Sequence, residues 1–573
     1  MDTSSKRRKG MAMLPLRARN RGTSDALGPT LHTQSLVMGM CLALIAATLG
    51  YLAHSDGSNG GSQAANVATA GPGGTALGAG AAGAAPAGGS IGGLTSGAGV
   101  YAPGAGGAAA SGAAGGVGGA GPAAPGVSYS TPHALYPTRA QDAPAKFNPV
   151  DKAGQLSTGP LRATDQGVTK DSIKLGILIS NTNELAAAGF KAGLAGNQQE
   201  IIKAWVNEIN RNGGVNGRKL TVYTQNFDVL DVNDMQAACK TMTQDQKVFS
   251  VMTTGGYDSV AQLCITKENH TPLISTDPEP AEWYQQAAPY LWGSFMNKDR
   301  LAQNQAKWLA TSGYVRPTDK VGVIYHDIPN VAPSVEKSLL PSLHANGINP
   351  VDVVKLASDS QQALSQIPNA VLDMQQKGVT FVIFEMNLIF KSQFLQQASK
   401  QQFHPRYNDS DEYFGCADFT TSAYDANEYD GTKCVGTTLS GTDVKKWKET
   451  PFQKMADAVY KRTYSQGYAT EGSDPNNQEA QAVLNYGLGS EFLMWAQAAM
   501  HAGTQLTRPL WGEAMEYTGT WLQQGLYCSM TYRPGKFDGS DQLAIAQYEA
   551  NASGDYDAKK FHLLAPGCFK NFY

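Results

Sequence analysis

From residue 172 onward, short apolar runs alternate with segments whose apolar residues recur at helical spacing. A first group has predicted strands Ser172–Ser180, Lys219–Thr224, Val248–Thr253 and Pro272–Ser275, with predicted helices Glu200–Asn210, Asp234–Met242, Ser259–Asn269 and Leu301–Ala310. A second group has strands Lys320–Tyr325, Val351–Lys355 and Val379–Phe384, with helices Val335–Ala345 and Ala363–Gln376. We expect the last of these helices to kink or restart at Pro368.

Strands separated by helices favour right-handed βαβ units, in which helices cover both faces of a parallel sheet. The sequence therefore predicts an α/β fold with two doubly wound parallel-sheet lobes, joined near Phe295. Ligands of such open sheets bind beyond the carboxyl ends of the strands, so the loops that follow each strand are the informative segments.

The N-terminal region predicts that the rest of the chain lies outside the cytoplasm. Residues Leu36 to Ala53 are uncharged and mostly apolar, which is just long enough for one transmembrane helix. Seven Lys and Arg residues against two Asp residues precede this run, so we expect residues 1–35 to form a basic cytoplasmic tail. A cleaved signal peptide and lipidation at Cys41 are the alternatives, although the tail is long for a signal peptide.

A linker is predicted between this segment and the α/β region. Residues 54–150 are rich in Gly, Ala, Pro and Ser, and no Asp, Glu, Lys or Arg occurs from Gly57 to Thr138. Such a composition is typical of a disordered, flexible tether. The rest of the chain is acidic and lacks a basic stripe, which argues against nucleic-acid binding.

Six cysteines lie in the predicted external region, and their even number favours three disulfides. The pairing of nearest neighbours is Cys239–Cys264, Cys416–Cys434 and Cys528–Cys568, one of 15 possible connectivities. Buried free thiols are the alternative. The spacing of these cysteines predicts no zinc site, and we expect no metal and no cofactor.

Four fragments in the same order resemble a known family. They are Trp205–Leu220, with its Gly213-Gly-Val-Asn-Gly217 turn, then Thr254–Leu263, Thr271–Ser275 and Val321–Asp327. Glycine in such a turn supplies positive φ at little cost. Together they resemble the type I periplasmic solute-binding proteins, the group that contains the branched-chain amino-acid receptors. The resemblance covers about residues 168–570.

The resemblance implies how the chain crosses between lobes. The first lobe would comprise residues 168–296 and 439–526, and the second lobe residues 297–438 and 527–573. Three hinge strands would lie near Phe295, Thr438 and Tyr527. Each predicted disulfide would then fall within one lobe.

The resemblance also implies a ligand set in the cleft between the lobes. In amino-acid-binding members, hydroxyl and amide groups of the first lobe bind the carboxylate, and acidic and tyrosine side chains bind the ammonium. The residues at matching positions of the first lobe are Thr254, Gly255, Gly256, Tyr257, Ser275, Thr276 and Asp277. Those of the second lobe are Tyr325, Asn330, Glu385, Asn387 and Asp418.

The chain departs from the family pattern in the loop after Ser275. Asp277, Glu279 and Glu282 make this loop acidic for a site that binds a carboxylate. Trp283 and Tyr284 are expected to form a flat surface that tolerates a cation. An amide, an amine or a peptide fragment is therefore as plausible a ligand as an aliphatic amino acid.

The resemblance implies a membrane-anchored extracellular receptor that passes a small polar solute to the permease of an ABC-type importer. A sensor ectodomain that signals through a partner protein is the alternative. We expect no enzymatic activity, because the sequence contains no H-E-x-x-H motif, no P-loop and no G-x-S-x-G between a strand and a helix.

Overall fold

The computed structural model describes residues 154–181, 197–412, 415–437, 451–468, 475–521, 528–551, 558–564, 568–570 and 572. The predicted transmembrane segment Leu36–Ala53, the basic tail and the linker 54–150 lie outside these residues. Within the described ranges, no helix is both long and apolar enough to cross a bilayer.

The first sheet is parallel throughout and has the strand order β2-β1-β3-β4-β5. Its strands are β1 Ser172–Asn181, β2 Lys219–Asp228, β3 Ser250–Thr253, β4 Leu273–Ser275 and β5 Leu291–Gly293. Strands β3, β4 and β5 are buried along their whole length. Burial on both faces is the usual situation of a parallel sheet, and it explains why these strands are apolar runs without alternation.

Helices cover both faces of this sheet. Against one face lie α1 Gln198–Arg211, α11 Pro451–Thr463, α12 Pro475–Ala502 and α13 Arg508–Glu516. Against the other face lie α2 Val232–Lys240 and α3 Ala261–Leu263, extended by π-helical turns Thr241–Asp245 and Cys264–Glu268, and α4 Ala281–Ala287. We call this sheet with these helices the first lobe.

Helix α1 shows how a late segment of the chain joins the first lobe. The side chain of Asn197 accepts a hydrogen bond from the Glu200 amide at 3.1 Å and so caps the helix start. Ile201 and Trp205 then lie on the buried face. The Trp205 indole donates to the side-chain oxygen of Asn485 on α12 at 2.8 Å, which ties two helices that are 280 residues apart.

The second sheet is mixed, with the order β14-β13-β10-β9-β8-β6-β7 and β15 paired to β13. Its parallel strands are β6 Val321–His326, β7 Asp352–Leu356, β8 Phe381–Glu385, β9 Arg406–Ser410 and β10 Lys433–Gly436. Its antiparallel additions are β13 Gln542–Glu549, β14 Lys560–Leu563 and β15 Phe569–Lys570. A separate antiparallel pair is formed by β11 Gly519–Trp521 and β12 Met530–Tyr532.

Helices also cover both faces of the second sheet. On one face lie α5 Lys298–Thr311, α6 Ala332–Ser334 and α7 Leu340–Ala345, with a π-helical turn Val335–Leu339 between the last two. On the other face lie α8 Ser360–Gln376, α9 Leu388–Lys400 and α10 Ala426–Tyr429, with a 3₁₀ turn at Asp418–Ala423. We call this sheet with these helices the second lobe.

The turn between α1 and β2 has the predicted backbone conformation. Gly213, Gly214 and Gly217 have φ values of +99°, +71° and +90°. A Cβ atom at Gly214 would lie 2.0 Å from the Arg218 carbonyl oxygen, so this position excludes any side chain. The three predicted disulfides, Cys239–Cys264, Cys416–Cys434 and Cys528–Cys568, are all confirmed.

Several predicted elements differ from the observed ones. Helix α8 runs unbroken from Ser360 to Gln376 with Pro368 inside it, so the predicted restart at that proline is wrong. The sequence pattern also missed α4 and β5, because seven- and three-residue elements are too short to show a period, and it predicted no element after Phe384, so α9–α13 and β9–β15 were not predicted.

Candidate functional site

The two lobes meet at the carboxyl ends of their parallel strands. Asp258 lies in the loop after β3 of the first lobe, and Asn330 lies in the loop after β6 of the second lobe. The Asn330 side-chain amide donates to Asp258 Oδ1 at 2.5 Å and to the Asp258 carbonyl oxygen at 3.3 Å. This contact places the two loops directly against each other.

Lys298 provides a second link between the lobes. It begins α5 and is buried, and its ammonium group lies 2.8 Å from Glu412 Oε1, just beyond β9. The same ammonium lies 3.4 Å from both carboxylate oxygens of Asp258. Burial alone lowers the pKa of Lys298, but the charges of Asp258 and Glu412 outweigh it, so the pKa lies above its ordinary value. Lys298 is therefore a cation held between one carboxylate from each lobe.

Glu385, at the end of β8, lies close to this ion pair. Ser410 Oγ donates to its Oε2 at 3.3 Å, whereas its Oε1 has no hydrogen-bond partner. Burial raises the pKa of Glu385 to about 8, and the charge of Glu412 adds to this rise. Burial likewise raises the pKa of Glu412 to about 7, and Lys298 opposes that rise. Both carboxyl groups therefore titrate near neutral pH.

A pocket opens beside these groups in the second lobe. Its lining comprises Lys298, Leu301, Ala302, Gln305, Val331, Ser334, Val335, Leu339, Glu385, Ser410 and Glu412. In this conformation its interior has room for roughly one water molecule. Most of the wall is apolar, and the polar atoms are grouped at the ends of β8 and β9 and on α5 and α6, as is usual for a small-molecule site.

On the first-lobe side, Asp277 is the central predicted residue. Its carboxylate accepts hydrogen bonds from the amides of Gly256 at 3.0 Å and Tyr257 at 3.2 Å. Gly255 and Gly256 have φ values of +102° and +76°, which turn the loop toward this carboxylate. Burial raises the pKa of Asp277 to about 7, helped by the charge of Asp258 and opposed by the Gly256 amide.

The predicted hydroxyl residues of the first lobe are also engaged within the protein. Ser275 Oγ accepts from the Gln262 side-chain amide at 3.0 Å and from the Asp277 amide at 3.2 Å. The hydroxyls of Thr276 and Thr253 pair at 3.0 Å. Thr254 Oγ1 accepts from the Ser180 amide at 3.0 Å. These residues are brought together, and each has a protein partner.

Four predicted residues are used elsewhere in the fold. The Tyr257 hydroxyl donates to the Met235 carbonyl at 2.5 Å, and the Tyr325 hydroxyl donates to Glu336 at 2.9 Å. The Asn387 side chain caps α9 by accepting from the Phe390 amide. Asp418 accepts from the Phe561 amide on β14. Their role as ligand contacts stays a prediction.

The predicted cation-tolerant surface near Ser275 is not formed. Trp283 and Tyr284 are only 6% and 4% exposed and pack in the first-lobe core. The sequence did not predict helix α4. This helix places both rings in the first-lobe core. Tyr284 instead lies over β5, where its hydroxyl would be 2.1 Å from a Cβ atom at Gly293.

The sequence predictions missed Asp258, Lys298, Gln305, Ser334 and Glu412. Asp258 follows a predicted strand by a few residues and lies in a loop that the sequence already indicated, whereas Glu412 follows β9, which the sequence pattern did not predict. Lys298 gives no such signal, since it begins a helix and reaches the other lobe only through the tertiary arrangement. Within the described ranges, no group of three or more His, Cys, Asp or Glu residues is arranged to hold a metal ion.

Comparison with solved structures identifies proteins of similar fold. A fatty acid ABC transporter substrate-binding protein from Thermomonospora curvata is 16% identical, with 73% of this chain and 97% of that chain covered and a TM-score of 0.53. A solute-binding protein of an ABC transporter from R. palustris in complex with 4-hydroxybenzoate is 14% identical, with 70% and 98% covered and a TM-score of 0.50. A leucine-binding protein from Thermotoga maritima is 15% identical, with 69% and 99% covered and a TM-score of 0.48.

Comparison with protein families identifies the family. No curated protein matches the chain. The sequence model of the family described as periplasmic binding protein, however, matches residues 172–553, which is more than half of the chain. This range includes the parallel strands of both sheets and the loops that meet between them. The chain therefore belongs to the type I periplasmic binding proteins.

Proposed function

We propose that this protein is a membrane-anchored extracytoplasmic receptor that captures a small polar solute between its two lobes and delivers it to the permease of an ABC-type importer. The observation that carries the proposal is the meeting of two sheet edges through Asp258, Lys298 and Asn330. Membership of the periplasmic binding proteins supports it, as do relatives of similar fold whose names describe substrate-binding proteins of ABC transporters.

Solute capture follows from the geometry of the lobes. A solute that contacts both edges binds the closed arrangement more tightly than the open one, so binding shifts the equilibrium towards closure. The proposed hinge strands near Phe295, Thr438 and Tyr527 divide the chain into lobes at 168–296 with 439–526 and at 297–438 with 527–573. Backbone hydrogen bonds from Gly539 to Phe295 and from Cys528 to Thr437 support hinges at these places.

The proposed location is the cell membrane, with the N-terminus in the cytoplasm and the binding region outside. The apolar run Leu36–Ala53 after a basic tail supports this proposal. The three disulfides add support, because disulfides persist mainly in oxidising compartments outside the cytosol.

A thermal-shift screen of the purified full chain tests solute capture. The panel comprises amino acids, amides, polyamines, short peptides, aliphatic acids and benzoates. A ligand at about 100 times its Kd stabilises the folded state by about 2.7 kcal/mol, so a true solute gives a clear and saturable shift. Absence of any shift across the panel would contradict solute capture and favour a sensor that closes on a partner protein.

A matched pair of variants locates the binding. Asp258→Asn removes a charge at the contact between the lobes, and we expect it to weaken binding of any solute found in the screen. Glu268→Gln removes the charge of an exposed carboxylate at the end of the π-helical turn Cys264–Glu268, and it serves as the control. Equal affinity of the two variants would contradict a site between the lobes.

A further inference from the structure

Three buried polar atoms beside the second-lobe pocket lack hydrogen-bond partners. They are Glu385 Oε1, Gln305 Oε1 and Ser334 Oγ, and their residues are 7%, 0% and 4% exposed. The first two are acceptors, and the hydroxyl oxygen can also accept. The Gln305 side-chain amide already donates to Asn408 at 2.9 Å. The pocket is therefore complementary to a group that donates several hydrogen bonds.

Acidic groups outnumber basic groups around this pocket, which also favours a ligand with positive charge. Asp258, Glu279, Glu385 and Glu412 contribute four carboxyl groups, and Lys298 is the ammonium group that lies among them. The other buried ammonium nearby, that of Lys391, is paired with Asp409 at 2.6 Å. Buried carboxylates without a countercharge are costly and are protonated more readily, so a ligand with positive charge would stabilise their ionised forms.

The first lobe, by contrast, is poorly suited to bind the carboxylate of a ligand. The Gly256 and Tyr257 amides lie where the family resemblance puts the carboxylate donors, and both already donate to Asp277. Asp277 therefore holds, as part of the protein, the position that a ligand carboxylate would need. A second carboxylate there would lie against a like charge.

We propose that the solute is a cationic amine without a carboxylate, and that its ammonium group binds Glu385, Gln305 and Ser334 in the second-lobe pocket. This inference rests on the proposed function and specifies the chemical class of its solute. The carbon atoms next to the ammonium would contact the apolar wall formed by Leu301, Val335 and Leu339. In this conformation the pocket has room for roughly one water molecule, so binding of these carbon atoms requires the pocket to open.

Binding of such a cation is coupled to proton release. Glu385 faces Glu412, Lys391 and Asp409, and Glu412 in turn faces Lys298 and Asp258. Burial and Glu412 raise the pKa of Glu385 to about 8, so this group is largely neutral at pH 6. An ammonium binds the ionised form, and its affinity should therefore rise by about 50-fold from pH 6 to pH 8, most steeply below pH 7.

Three probes of nearly equal shape test the chemical class on the full chain. Leucine carries both charges, 3-methylbutylamine lacks the carboxylate, and 4-methylpentanoic acid lacks the ammonium. Calorimetric titration at pH 8 should give the amine an affinity at least about tenfold higher than that of either other probe. Tighter binding of leucine or of the acid would overturn the inference and leave solute capture standing.

A variant pair tests the position of the ammonium. Glu385→Gln keeps the shape of the side chain and should lower amine affinity at pH 8 by at least about tenfold, with loss of the pH dependence. Glu268→Gln, which alters an exposed carboxylate, should change neither. Unaltered amine affinity in Glu385→Gln overturns the assignment of the pocket.

The wider solute screen separates failure of this inference from failure of the proposed function. A ligand that is acidic or neutral would overturn the cationic class and support capture of a solute. The absence of any ligand would overturn both proposals. A larger amine that binds with the same dependence on Glu385 and pH would support both.

Discussion

Asp277 in the first lobe and Glu385 in the second lobe occupy comparable places, near the carboxyl end of a buried parallel strand. Both are buried, and burial raises the pKa of each, to about 7 and about 8. Asp277 accepts two backbone amides, whereas Glu385 has one oxygen without a partner. Two carboxyl groups of similar position and burial therefore have different roles. Asp277 holds a loop, and Glu385 is available to a ligand.

The largest effect is expected at Lys298, which contacts carboxylates from both lobes. Lys298→Met leaves Asp258 and Glu412 without their countercharge and should lower the free energy of unfolding by about 3–5 kcal/mol at pH 8. The loss should be smaller at pH 5, because Glu412 has a raised pKa and is then protonated. Urea unfolding at both pH values measures the difference. Equal losses would show that charge is not the cause.

Asp277→Ala should destabilise the first lobe by about 2–4 kcal/mol, because two buried amides lose their acceptor. Urea unfolding at pH 8 gives the value, and Glu268→Ala, at an exposed carboxylate of the first lobe, provides the control. A loss below about 0.5 kcal/mol would show that Asp277 does not hold the loop, and the contrast with Glu385 would fail.

At high pH, Glu385→Gln should raise the free energy of unfolding, whereas the two preceding variants lower it. A carboxyl group with a raised pKa stabilises the fold below its unfolded pKa, near 4.5, and that stability is lost as the pH rises through about 8. The neutral variant should therefore be more stable than the parent at pH 9, by about 1–3 kcal/mol, and equal to it near pH 4. Thermal unfolding without ligand across this range tests the sign.

Ser275→Ala should have the smallest effect. Its hydroxyl accepts from Gln262 and from the Asp277 amide, so we expect a loss of about 1 kcal/mol in unfolding free energy. The affinity for solute should stay within about twofold if the first-lobe edge is saturated by its own hydrogen bonds. A clear loss of affinity, measured by calorimetry, would instead restore Ser275 as a ligand contact.

Local sequence patterns were sufficient for much of the fold. The alternation of apolar runs and helical segments predicted β1–β4 and β6–β8 and, apart from α4, the helices up to α8, since this period is a property of neighbouring residues. The glycines at 213, 214 and 217 predicted a turn with positive φ. Nearest-neighbour pairing predicted the disulfides, because each pair joins elements that are close along the chain.

The candidate site was less predictable, because the same residue type has different roles according to its distant neighbours. Tyr257 and Tyr325 follow or end strands as expected, yet their hydroxyls bind Met235 and Glu336. Lys298 begins a helix like many surface lysines, yet it is buried between a carboxylate from each lobe. Contacts between residues that are distant in the chain cannot be predicted from the pattern of adjacent residues.

The sequence by itself determined the two-lobe α/β plan, the family and the loops in which a site would lie. Periodicity, turn residues and cysteine spacing are features of residues close in the chain, so they can be interpreted without the tertiary structure. The tertiary structure alone decided which polar groups satisfy one another, as Asp277 does with Gly256 and Tyr257, and which remain available, as Glu385 Oε1 does. Hydrogen bonding and burial depend on residues brought together from distant parts of the chain, so only the folded molecule determines them.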